Sequence, residues 1–134
     1  MQRLLIAIAL AAAGVFVYLH WFGAPAASDY RIAEIEQRPI PKREFFELWR
    51  ETAFGMCTQA RETYRLSPAA CEDYVRAKHA RCVAEIGASA PALLSGKAES
   101  RRYARPYLDC VVPGYFCKGV EVRDLAEAAR HCRD

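Results

Sequence analysis

The sequence predicts an all-α fold, a small disulfide-stapled bundle of about four helices behind a single N-terminal transmembrane or signal helix. Three observations carry that expectation: an apolar run at 4–19, apolar residues at helical spacing over 45–64 and 71–86, and six cysteines in 134 residues, none in a CxxC pair. Cysteines at that density in so short a chain point to structural disulfides formed in an oxidising compartment. Cys71 and Cys82 show why a bundle follows. Eleven positions at about 100° per residue return to within roughly 20° of the starting direction, so both sulfurs leave one helix face, roughly 16 Å apart. They cannot bond each other at that separation. Each must tie this helix to another part of the chain, and the same stripe carries Val75 and Ile86.

The first element is the segment 1–22, read as a signal-anchor. After Met1-Gln2-Arg3 the residues LLIAIALAAAGVFVYL contain no charge. As a helix they span about 24 Å, and extension through Phe22 approaches the ~30 Å hydrocarbon thickness, so residues 4–22 are the expected membrane contact. Arg3 places the N-terminus in the cytoplasm, with Tyr18, Trp21 and Phe22 at the outer interface. The expected location is the inner membrane of a bacterial envelope, single-pass, with the C-terminal domain in the periplasm. The competing reading is a cleaved signal peptide, with small residues at Ala24-Pro25-Ala26, which makes the chain periplasmic or secreted. Residues 23–41 contain Arg38-Pro39-Ile40-Pro41, extended because proline restricts itself and its predecessor, and read as a linker with at most a short helix at 29–37. The disulfide-rich helical domain is placed at 42–134.

Within that domain, Phe45, Trp49, Ala53, Cys57, Ala60 and Tyr64 fall at spacings of three or four and define the buried stripe of a first helix starting at Pro41. Phe46 and Phe54 widen that stripe, and Gly55 is its weak point. Ser67-Pro68 starts a second helix, with serine as the cap and proline in the first turn, and Gly87 is expected to end it in a left-handed conformation. A third helix is expected at 95–110, kinked by Pro106. After a turn at Pro113-Gly114 the last helix is expected at 121–131, with Val122, Leu125, Ala129 and Cys132 facing inward, although 118–122 also admits a short extended stretch.

Disulfide pairing follows from this layout. In an unbroken hairpin turning at Leu66-Ser67, Cys57 lies opposite about Arg76, offset axially by roughly 8–9 Å from Cys71 and from Cys82. Adding a helix separation of ~8–10 Å exceeds the ~7 Å Cα limit for a disulfide. Cys57, Cys71 and Cys82 are then expected to pair with Cys110, Cys117 and Cys132, with Cys82–Cys132 favoured and the order of the others left open. A break at Gly55 is the route to the alternative, Cys57–Cys71 with Cys110–Cys117. Ten residues separate Cys71 from Cys82 and six separate Cys110 from Cys117, which does not match the repeated spacing of coiled-coil–helix–coiled-coil–helix proteins, so no family is assigned.

No residue set points to catalysis, a cofactor or a metal. His79 and His131 lie near Cys82 and Cys132, but without CxxC or HxxxH spacing, and oxidised cysteines cannot ligate. There is no glycine-rich phosphate loop and no nucleophile elbow. The local excess is KAESRRYARPY at 97–107, where four cations face the single acid Glu99 and two tyrosines interleave. Arg101, Arg102, Tyr103, Arg105 and Tyr107 are the candidate partner-binding residues, because arginine and tyrosine dominate binding hot spots and arginine pairs bidentately with carboxylates. The competing reading is a solvated helix face with both tyrosines packed inward. A net charge of +3 in an exported domain argues against nucleic acid. The expectation is an exported, membrane-tethered helical binding module without catalysis. It would act as an inhibitor, an immunity-type protein or an accessory envelope-assembly protein, engaging a protein partner with an acidic surface. The alternative is a thiol–disulfide redox or metal-handling protein of the envelope.

Overall fold

A computed structural model of the protein describes residues 29–133, so the anchor expected at 1–22 lies outside the described residues. The described part is mainly helical: α1 (Lys42–Met56), a short α2 (Ala60–Thr63), α3 (Pro68–Gly87), α4 (Lys97–Val111) and α5 (Leu125–His131). Two small antiparallel pairs join them, β1 (Ile40–Pro41) with β2 (Leu93–Leu94) and β3 (Tyr115–Cys117) with β4 (Val120–Val122). Among the described residues, no helix is long and apolar enough to cross a membrane.

The core lies where α1, α3 and α4 meet. Phe45, Phe46, Ala53, Cys57 and Ala60 from the first stripe are buried with Cys71, Val75 and Cys82 of α3 and with Tyr103, Ala104, Tyr107 and Val111 of α4. Phe46 sits edge-on to Phe45 at 5.4 Å and tilted over Tyr107 at 5.3 Å between ring centroids, separations at which aromatic pairs attract. Gly87 does not end α3 in the left-handed region. It stays helical because Phe46 packs on it, and an added Cβ would meet Phe46 Cε2 at 3.1 Å. The last carbonyl of α3 is instead reached by Lys42, whose ammonium lies 3.2 Å from the Gly87 oxygen and 3.4 Å from that of Ala90 in the following loop. A cation there also complements the helix dipole. At the other end Ser67 Oγ accepts from the Ala70 amide, as its position before Pro68 predicts.

The linker expected at 23–41 needs correction over the part described. Ile35 and Ile40 are fully buried, and Ile40 pairs with Leu94 across the β1–β2 ladder. Two apolar side chains and an extended strand beside Pro39 and Pro41 are enough to draw residues 29–41 onto the domain, which therefore begins before Lys42. Pro41 itself is the N-cap rather than the first helical residue of α1.

The pairing Cys82–Cys132 is also corrected. The disulfides are Cys57–Cys71, Cys82–Cys110 and Cys117–Cys132, with Cα separations of 5.6, 5.9 and 5.2 Å. The first bridge exists because the first helix does not continue to Tyr64. It ends at Met56, passes through a 3-10 turn at Cys57–Gln59, and leaves helical geometry at Gln59 (φ −107°, ψ 21°) before α2. The break falls just after Gly55, whose carbonyl accepts from Thr58 Oγ1 at 2.9 Å, a local bond that competes with helix continuation. The third bridge exists because a hairpin over Tyr115–Val122 precedes the last helix and takes over the first two of its expected residues. Lys118 and Gly119 both have positive φ (50° and 84°), the pattern of a two-residue type I′ turn. That turn folds Cys117 back toward the end of α5. With Cys57–Cys71 and Cys117–Cys132 closed, Cys82 meets Cys110 across the α3–α4 contact, the most extensive helix pairing of the domain. Pro106 leaves α4 continuous over Lys97–Val111.

Candidate functional site

The five candidates at 101–107 separate by face. Tyr103 and Tyr107 point inward: the Tyr103 hydroxyl donates to the Ser89 carbonyl at 2.9 Å, and Tyr107 is fully buried. Neither is placed to touch a partner. Arg102 stacks over the Tyr103 ring, 5.6 Å from its centroid. Arg101 and Arg105 lie one turn apart and edge a groove between α1 and α4. Its apolar lining is Trp49 and Met56 from α1 with Ala104 and Leu108 from α4, Asp109 stands at the far end, and the volume is about 430 Å³. A second depression shares Met56, Leu108 and Asp109 and continues toward Val112 and Tyr115.

Three properties of this groove bear on binding. First, Arg101 and Arg105 are exposed and form no ion pair or hydrogen bond among the described residues; Arg43, Arg61 and Arg130 share that property but do not line the groove. Second, Met56 is 42% exposed, a flexible thioether of the kind that adapts to varied apolar surfaces. Third, the Trp49 indole N–H is enclosed yet has no hydrogen-bond partner among the described residues. A buried donor left unpaired costs about 1–3 kcal/mol. The helical stripe placed Trp49 in the core, but it is only half-buried and shared between core and groove.

Two other polar clusters were not read from the sequence, and both serve the fold. Glu47, His79 and Tyr107 bring α1, α3 and α4 together: His79 Nδ1 lies 2.9 Å from the Tyr107 hydroxyl, and Nε2 lies 3.3 Å from a Glu47 oxygen whose carboxylate also holds Arg50 at 2.7 Å. A carboxylate only accepts, so the neutral ring carries its proton on Nε2 and accepts from Tyr107 through Nδ1. Burial pushes the Tyr107 phenol far above its ordinary value, with the Arg50 charge a smaller opposing influence. Its hydroxyl is enclosed and spoken for. The i,i+4-type spacings that place these residues on helices carry no signal that three helices will converge on them.

The second cluster clamps the hairpin to the bundle. Glu121 accepts from the Tyr74 hydroxyl at 2.9 Å and from the Gly114 amide at 2.7 Å, and pairs with Arg123 at 2.7 Å. Arg123 also donates to the carbonyls of Asp109 and Val112 and to the Tyr74 oxygen. Burial alone would raise the Glu121 carboxyl, but the Gly114 amide, the Tyr74 hydroxyl and the Arg123 charge outweigh it and hold the group below its ordinary range. Burial and the Glu121 hydrogen bond push Tyr74 up. An added Cβ at Gly114 would sit 2.7 Å from the Val122 carbonyl oxygen, so only glycine fits there.

All six cysteines are disulfide-bonded, and no group of three or more potential metal ligands occurs among the described residues. Compared with models of protein families, with curated proteins and with solved structures, this chain matches none.

Proposed function

We propose that this protein is an exported, membrane-tethered helical binding module that works without catalysis, gripping an acidic surface of a protein partner in the bacterial envelope. Three disulfides suit an oxidising, extracytoplasmic compartment. The apolar run at 4–22 suits an inner-membrane tether holding the domain in the periplasm, or a cleaved signal releasing it there. The observation that carries the reading is the α1–α4 groove, an apolar floor edged by two arginines that have no partner among the described residues. Inhibition, immunity-type neutralisation and an accessory role in envelope assembly are all activities that such a grip supports.

The test is recovery of partners from envelope extract with the full chain as bait, comparing wild type with Arg101→Glu/Arg105→Glu. Both arginines are exposed and have no partner among the described residues, so the variant should fold normally, and its recovery should fall. Unchanged recovery refutes the groove as the binding surface.

A further inference from the structure

We infer that the occupant of this groove is a short amphipathic helix of the partner, carrying two carboxylates one turn apart and a cation one turn further on. The inference rests on the binding-module reading above and specifies its ligand. Arg101, Ala104, Arg105 and Leu108 stand at i, i+3, i+4 and i+7, so they form one stripe along α4. Trp49 and Met56 are seven residues apart on α1 and form the facing wall, about 10 Å long at ~1.5 Å per residue. Two helical walls around an apolar floor match the mode in which a helix lays its apolar face into a groove. Ala104 is almost fully buried at the base of this stripe, and its small side chain leaves the groove open between Arg101 and Leu108.

The charges give this groove a direction. Along α4 the signs run positive at Arg101, positive at Arg105 and negative at Asp109, each one turn from the next. A complementary helix reads acid, acid, base at the same spacing. Acids favour the N-terminal end of a helix and bases its C-terminal end, because each then complements the helix's own dipole. The occupant therefore runs parallel to α4, its acidic end beside Arg101. Large apolar side chains on the same face meet Trp49 and Leu108, and continuation of the groove toward Val112 allows a third turn.

The experiment uses the full chain in nanodiscs of zwitterionic lipid, with Trp21→Phe so that Trp49 is the only tryptophan. The probes are three synthetic peptides of equal length. One is an alanine-based helix with Glu, Glu and Lys at successive four-residue steps and Phe and Leu on that face. The second has these charges inverted, and the third has a central proline that prevents the helix. The expected result is a saturable change in Trp49 emission with the first peptide and roughly tenfold weaker binding of the other two. Arg101→Glu/Arg105→Glu should lose the first peptide and gain the charge-inverted one. Equal binding of the proline peptide overturns the helical occupant, and binding indifferent to the arginine variant overturns the charge match. An emission change caused by anionic-lipid nanodiscs alone assigns the arginines to headgroups and also overturns it. If envelope recovery depends on the arginines but no peptide binds, the helix inference falls while the binding-module reading stands.

Discussion

Loop length alone ranks Cys82–Cys110 only slightly above Cys117–Cys132, and the fold makes them very different. Closing the 28-residue separation of Cys82–Cys110 restricts the unfolded chain by about 3.6 kcal/mol, and closing the 15-residue separation of Cys117–Cys132 by about 3 kcal/mol. The first bridge joins α3 to α4 with Cys82 fully buried. The second ties down α5, which has no buried residue and whose Leu125 is 90% exposed. The β3–β4 hairpin does not depend on that bridge, because the Phe116 amide reaches the Tyr64 carbonyl at 3.0 Å and Glu121 is held by Tyr74 and Gly114. Replacing Cys82 and Cys110 by alanine should therefore lower the melting temperature by roughly 15 °C or more, at about 4–8 °C per kcal/mol for a domain near 100 residues. Replacing Cys117 and Cys132 should leave the melting transition within a few degrees and free the segment 125–133. Thermal melting with hydrogen exchange resolved by peptide separates these outcomes. Equal losses in melting temperature would mean that the chain-entropy term governs both bridges and that α5 belongs to the cooperative unit.

Further perturbations test the polar clusters. His79→Ala should cost about 1–3 kcal/mol more in the wild type than in a Tyr107→Phe background, because only the wild type strands a buried hydroxyl without its acceptor; equal costs in urea denaturation would refute the assigned hydrogen bond. Gly114→Ala should destabilise by more than about 1 kcal/mol, since its Cβ meets backbone that cannot swing aside, with the loss read as faster exchange over 115–122. The Glu121 carboxyl is held below its ordinary value of 4.5, so its contribution is complete above that pH and disappears as pH falls through the depressed folded value. The stability gap between wild type and Glu121→Gln should accordingly be full at pH 7 and shrink progressively below about pH 4.5; a gap that widens on acidification would contradict the sign.

Much of the helical architecture was legible because it rests on local rules. The spacing of Phe45, Ala53, Cys57 and Ala60, the serine cap before Pro68 and the stripe of Cys71, Val75 and Cys82 all express a 3.6-residue period and short-range bonding, which neighbouring residues fix among themselves. That the six cysteines are disulfide-bonded was also legible, because their density in a short chain points to bridges without any knowledge of geometry. A helix at 97–107 was likewise expected, but the sequence grouped Tyr103 and Tyr107 with the arginines as partner-binding candidates, and only the packed structure turns both tyrosines inward.

What the tertiary structure decided depends on small angular changes with large consequences. A helix ending at Met56 rather than near Tyr64 brings Cys57 within 5.6 Å of Cys71, and a two-residue turn at Lys118-Gly119 returns Cys117 to Cys132. Lys118-Gly119 between Tyr115–Cys117 and Val120–Val122 was the missed signal, a short hairpin in a stretch whose alanine-rich continuation reads as helix. Folding of residues 29–41 onto the core likewise turned on a strand partner, Leu93–Leu94, more than fifty residues away. The groove has the same origin. Arg101 and Arg105 follow from one helix, but the facing apolar wall, Trp49 and Met56, comes from another, and only packing of α1 against α4 sets charge beside it.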